Sequence, residues 1–328
     1  MKKTFFAVLL AASLVSGAVA ADKTSVARPD VTPAGKVPVH AFVDVKGIKE
    51  AATKIFVSDA LDNVVNIYNT KGKQLAQLTG FNEPQGLTTD AKGNLYVANT
   101  GDSNILVYAS PYTKKPKTLN DPGQYPAGVA VLVSGKTTYV AVTNIISTSD
   151  GAGSVVLYKN GKIGKPISNA SLGRIYFCGF DANGDLYLDG TSSDESAFYF
   201  GEIAKLTSGG KKITLDTLGN SLAFPGGVQV NTKGKIAIGD QSGAAIYTYN
   251  PPKKGTFGNP ISTTPITGSS DDVTFAFTST DGDVWTADAG TGDSFEFKYP
   301  KGGNAVATIT VGGQPIGVAV TPYQAPGK

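Results

Sequence analysis

The chain holds one cysteine, one histidine, one methionine and one tryptophan in 328 residues. A lone cysteine excludes an intramolecular disulfide, a staple that a large exported domain does not need. Cys178 sits in the apolar run Ile175-Tyr176-Phe177-Cys178-Gly179-Phe180 and reads as a small buried hydrophobe rather than a nucleophile. The one histidine, His40, precedes the repeated part of the chain. That excludes metal centres built from several histidines. A Ser-His-Asp triad would have to borrow His40 from outside the repeats, and no Gly-x-Ser-x-Gly elbow occurs. The only methionine is Met1, so the processed chain offers little to oxidants. Arginine is nearly absent, with Arg28 and Arg174 alone, and no basic cluster is interleaved with aromatics. Nucleic acid is therefore not an expected partner. Beyond the first twenty residues no apolar run is long enough for a membrane span.

Those first twenty residues have the form of a secretory leader. Lys2 and Lys3 precede an apolar run from Phe5 to Val15, and Ala18-Val19-Ala20 supplies a small-residue cleavage site. The expected location is periplasmic or extracellular, and a monomer is expected. Loss of Lys2 and Lys3 leaves 27 basic against 26 acidic side chains, so the basic balance of the whole chain points to no acidic partner. The reading divides the chain into a leader (1–20), a flexible lead-in rich in Ala, Lys, Thr and Pro (21–38), a repeat domain (39–322) and a short tail (323–328).

What the chain has in quantity is repetition. Its clearest copy runs Pro84-Gln85-Gly86-Leu87-Thr88-Thr89-Asp90-Ala91-Lys92-Gly93-Asn94-Leu95-Tyr96-Val97-Ala98-Asn99. A polar turn and Ile105-Leu106-Val107-Tyr108 follow. This spells a short apolar strand, a tight turn with glycine, a second apolar strand and a third that alternates. Aligned on the second residue of the middle strand, the copies fall at Phe56, Tyr96, Tyr139, Tyr187, Ala237 and Trp285, with steps of 40, 43, 48, 50 and 48 residues. Such steps suit four-stranded blades with loops of variable length, and the middle-strand aromatics are expected between blades. Four copies open with Pro-x-Gly-aliphatic, at Pro84, Pro126, Pro225 and Pro315. Four carry a polar turn containing glycine, at Asp90–Asn94, Asp181–Asp185, Asn231–Lys235 and Thr280–Asp283, where glycine is expected to supply a positive φ.

Pro315-Ile316-Gly317-Val318-Ala319-Val320 is a first strand with no second strand after it, while Lys54-Ile55-Phe56-Val57-Ser58-Asp59 is a second strand with no first before it. Residues 316–321 are therefore expected to complete the first blade and close the ring. The rival closing strand is Ala41-Phe42-Val43-Asp44-Val45.

The repeat resembles the NHL family of six-bladed, TolB-like β-propellers, most specifically over residues 84–108, and more loosely over most of 50–321. The resemblance implies an all-β six-bladed propeller of four-stranded antiparallel blades. It implies little about activity, since the architecture hosts hydrolases, lyases and binding modules.

Antiparallel blades bring the end of the middle strand and the start of the first strand to one face of the disc. Asp59, Asn99, Asp189, Asp240 and Asp288 fall there, with Glu83, Asp271 and Asp272 on the preceding connections. Oxygen ligands converging on an axis suit Ca²⁺, with Asp59, Asp240 and Asp288 as candidate ligands. The competing reading has each acid hydrogen-bonding its own loop, with no cofactor. Gluconolactonase-like propellers hold such a metal with Glu, Asn and Asp, and this chain is similar in having Glu83 beside Pro84 but lacks their Glu-Gly-Pro block. Two functions stay open. One is a secreted recognition or scaffold module binding a protein, peptide or glycan on this face, with Tyr125, Tyr176, Phe224 and Gln314 exposed nearby and no catalytic residue. The other is a Ca²⁺-dependent lactone or ester hydrolase with a carboxylate base. The polar stretch Thr191-Ser192-Ser193-Asp194-Glu195-Ser196 is read as a solvent loop.

Overall fold

Each repeat folds as one antiparallel sheet, and six such sheets stand around a common axis in the computed structural model. It describes residues 45–50, 52–147, 151–194, 201–278 and 280–327. The leader, the lead-in, His40 and residues 41–44 of the rival strand lie outside the described residues, and Val45 opens a helix, α1 (Val45–Glu50), rather than ending a strand. From axis to rim, blade 1 is Pro315–Thr321, Lys54–Asp59, Val64–Tyr68 and Gln74–Leu78. Blade 2 runs from Pro84–Thr89 to Lys117–Asn120, and blade 3 from Gln124–Ser134 to Lys162–Ile163. Blade 4 runs from Leu172–Phe180 to Ile213–Leu218, blade 5 from Pro225–Val230 to Ser262–Thr267, and blade 6 from Asp272–Phe277 to Ala307–Thr310.

The ring is closed by the C-terminal strand. Lys54 pairs with Thr321, Phe56 with Ala319 and Asp59 with Pro315 in one antiparallel ladder. Two blades gain a fifth strand from their neighbour. Thr256–Gly258, lent by blade 5, runs parallel to the rim strand of blade 4, and Gly303–Asn304, lent by blade 6, does the same for blade 5. Each loan covers a sheet edge that would otherwise offer unpaired backbone groups.

Six apolar clusters fill the six interfaces between blades, and the aligned middle-strand position enters one in every blade. Phe56 packs toward blade 2, Tyr96 toward blade 3, Tyr139 toward blade 4, Tyr187 toward blade 5, Ala237 toward blade 6 and Trp285 toward blade 1. Ile48 of α1 joins the cluster under the rim of blade 1.

The Pro-x-Gly glycine has a physical reason. A Cβ on Gly86 would stand 2.5 Å from the Ala127 carbonyl oxygen, and one on Gly317 would stand 2.2 Å from that of Gln85. The inner strands of adjacent blades approach most closely at these points, and a side chain would push them apart. The polar turns also share one mechanism. Oδ1 of Asp90 accepts the amides of Lys92 and Asn94, both at 2.9 Å, and Asp181 and Asn231 repeat the pattern. Gly93, Gly184 and Gly234 adopt positive φ there. Blade 6 departs from expectation: the left-handed residue is Asp281, not Gly282, a conformation that Asp tolerates better than most side chains.

Candidate acid-bearing face

The proline of each signature pairs in register with an acid or amide. Pro84 faces Asn99, Pro126 faces Asn144, Pro225 faces Asp240 and Pro315 faces Asp59. Proline has no N–H to give the ladder, and the side chain opposite reaches past it to the amides just upstream. Asn99 Oδ1 accepts from Asn82 N at 2.7 Å. Asp240 accepts from the amides of Ala223, Phe224 and Gly243 at 3.0, 3.1 and 2.9 Å. Asp59 Oδ1 takes those of Leu61, Asp62 and Gln314. Asp288, opposite Asp272 in blade 6, accepts from the amides of Ser270, Asp271, Gly290 and Thr291 and from the Ser270 hydroxyl. These side chains tie the incoming connection to the outgoing loop through backbone amides, although Asp59 keeps a buried Oδ2 without a partner.

Blades 3 and 4 break this pattern because their inner hairpins are longer. Their middle strands continue past the equivalent residue, to Ser147 and Ser192, so the amides that would turn back onto it stay in the ladder. Asp189 is fully buried and receives the Phe177 amide at 2.7 Å, with Oδ2 unpartnered. Burial pushes its carboxyl well above the usual range, against the pull of that hydrogen bond. Asn144 likewise keeps an unpartnered Oδ1. Thr191, read as the start of a solvent loop, is instead fully buried and lies with Ser192 in the extended strand, while Glu195 and Ser196 lie outside the described residues. The sixth position, Asn144, escaped the sequence reading because the repeats were aligned on aromatics. It follows its proline by eighteen residues, where Asn99 and Asp240 follow theirs by fifteen, so alignment on proline alone points three residues short of it.

The remaining candidates are scattered around the ring. Glu83 is exposed and left-handed at φ 51°, and its amide donates to Asn63 Oδ1 at 2.7 Å. Asp271 is buried beside Asp288, and burial first, then that neighbouring charge, raises its carboxyl to about 6. Asp272 pairs within its strand, and its side chain lies outside the described ones. Asp121, absent from the sequence candidates, is buried, and burial raises its carboxyl to about 6 although the neighbouring Asn144 amide and Tyr158 hydroxyl oppose the shift. Among the described residues no three His, Cys, Asp or Glu side chains gather as a metal-holding group.

Over the axis this face is covered by apolar side chains from several blades. Ala60, Ala127, Ile145, Tyr176, Phe177, Val273, Ala289 and Ile316 form one cluster, with Ile146 and Phe224 packed on it. Tyr176, expected to be exposed, is 5% exposed, because its ring packs at a tilt against Phe224 with centroids 5.6 Å apart. Tyr125, Phe224 and Gln314 are half-buried. Cys178 is buried, and its thiol is pushed up to about 12, chiefly by burial, which leaves it inert.

Strand count, blade order and closure define a six-bladed β-propeller. No family model matches the chain, and no curated protein does. Solved structures share its fold at low identity. A chain of a crystallised nidogen/laminin complex aligns with TM-score 0.64 and 13% identity, over 83% of this chain and 99% of that one. A protein of unknown function from Bacteroides caccae gives 0.59 and 11%, over 82% and 99%. Virginiamycin B lyase from Staphylococcus aureus gives 0.53 and 14%, over 75% and 77%. No helix among the described residues is long and apolar enough to cross a membrane.

Proposed function

We propose that the protein is an exported, NHL-like recognition or scaffold propeller that binds a protein, peptide or glycan on the acid-bearing face. The observation that carries this reading is the engagement of Asp59, Asn99, Asp240 and Asp288 with backbone amides. Groups spent on holding loops are not free to activate water. Half-buried Tyr125, Ile146 and Phe224 stand around the raised hairpins of blades 3 and 4, and aromatic anchors of this kind carry recognition. The nidogen/laminin neighbour is a propeller crystallised with a protein partner, which supports a binding role for the scaffold. A lyase neighbour was crystallised as a catalytically inactive histidine-to-alanine variant, whereas this chain has only His40.

Arrays of oligosaccharides and of peptides probed with the processed protein test the proposal. Binding that is lost in Tyr125→Ala, with melting unchanged, is the expected result. Hydrolysis of lactones or aryl esters above background, abolished in Asp240→Asn or by chelator, would overturn it in favour of the Ca²⁺-dependent hydrolase.

A further inference from the structure

After the closing strand leaves blade 1, the chain crosses the face opposite the acids and forms a strap over the axis. Its two anchors are few and far apart. The Tyr323 hydroxyl donates to the Val131 carbonyl of blade 3 at 3.4 Å, and the Gly327 amide donates to the Asn231 carbonyl of blade 5 at 2.9 Å. Between them stands Gln324, whose Oε1 and Nε2 are both buried and both without a hydrogen-bond partner. Gln324, Tyr323 and Pro326 line an axial cavity of about 90 Å³ whose remaining wall is the six inner strands.

That wall has a definite chemistry. Each inner strand is paired on one side only, so its other edge presents backbone N–H and C=O groups toward the axis. Among the described residues no Asp, Glu, Lys, Arg or His lines the cavity. An ion entering it would lose its hydration with no counter-charge to replace it, whereas a neutral solute with both a donor and an acceptor would meet both. A buried carboxamide with neither end paired bears the full desolvation cost of its atoms, and a partner in the cavity removes it. The volume corresponds to roughly three waters at liquid density, or to one solute of about four non-hydrogen atoms.

We propose that this axial cavity is a binding site for a small, uncharged, hydrogen-bonding solute of the amide or polyol class, recognised by the Gln324 carboxamide and admitted past the strap. A second cavity of about 220 Å³ beside the strap, between Ala325 and Pro326 and the turns at Ala91 and Ala182, gives the strap room to shift. With two anchors it can open without disturbing a blade. The site is on the face opposite the recognition surface, and neither proposal depends on the other.

Acetamide and acetate, nearly equal in size and different in charge, are the probes. Crystals of the processed protein soaked in each, with titration calorimetry in solution, are expected to show acetamide paired to Gln324 and acetate absent. In solution acetate should bind at least about tenfold more weakly, as should acetamide to Gln324→Leu, for the loss of one buried hydrogen-bonding partner. A chain ending at Thr321 should exchange acetamide faster. Ordered water alone after the acetamide soak would overturn the proposal, as would density without a solution signal, or equal binding of the two probes. The comparison of probes on the unaltered protein stands even where Gln324→Leu folds poorly.

Discussion

The Ser58 hydroxyl accepts the Gly317 amide at 2.7 Å and donates to the Gln85 carbonyl at 2.6 Å. One side chain thus joins the closing strand of blade 1 to the inner strand of blade 2, at the point where the Pro-x-Gly glycine lets them approach. The device recurs around the ring: Thr100 donates to the Pro126 carbonyl, Thr143 to that of Tyr176 and Thr274 to that of Ile316. Ser58→Ala leaves a buried carbonyl and a buried amide without partners. A loss of about 1–3 kcal/mol is expected from denaturant unfolding. Unfolding midpoints equal to those of the unaltered protein would remove the hydroxyl from any part in closure.

Asp240 offers a direct test of what the recurring acids do. It accepts three backbone amides, two before Pro225 and one after the strand. Asp240→Ala should cost about 1–3 kcal/mol, while chelator should leave the melting temperature of the unaltered protein where it was. If the acids instead hold Ca²⁺, added metal at a hundredfold excess over Kd stabilises the fold by about 2.7 kcal/mol, and chelator lowers the melt.

Asp121 predicts a pH dependence. Its carboxyl titrates near 6 in the folded chain, against 3.8 as the ordinary value. The folded state therefore binds more protons than the unfolded state between those values, and stability falls as pH rises through that window. Asp121→Asn removes the buried charge and keeps the shape. It should stabilise the fold at pH 7.5, by on the order of 1–3 kcal/mol, raising the melting temperature there, and change little at pH 4. Equal effects at both pH values would rule out the raised carboxyl.

Trp285 is fully buried between blades 6 and 1, among Ile55, Val57, Val318 and Val320. Trp285→Ala should cost about 3–5 kcal/mol, and native fluorescence should be blue-shifted relative to the unfolded chain. Emission of a solvated indole in the native state would contradict the placement.

Much of this was legible in the residues. Blade number, closing strand, turn chemistry and between-blade aromatics all follow from local patterns that recur, and a recurring pattern carries its own alignment. The partners of the acids were not legible, because a carboxylate that binds a backbone amide and one that binds a cation have the same letter and the same position. Asn144 was displaced by the longer strands of blade 3, a length change that the aromatic at Tyr139 does not register. Tyr176 was misread as exposed because its burial depends on Phe224 from another blade. The strap at Tyr323–Gly327 escaped notice because its contacts reach Val131 and Asn231, far away in the chain.

Pairing Lys54 with Thr321 has a consequence for how the protein is made. The middle strand of blade 1 is synthesised before the other five blades, and its partner after them. Until that partner arrives, residues 54–59 present an open edge on which another chain can add. Five blades can form in order from contacts with their neighbours, but the last closure spans nearly the whole chain and carries the largest loop entropy. Stalled translation or a clipped C-terminus therefore yields a nearly complete ring with one adhesive end, and aggregation of such fragments is built into the order of synthesis.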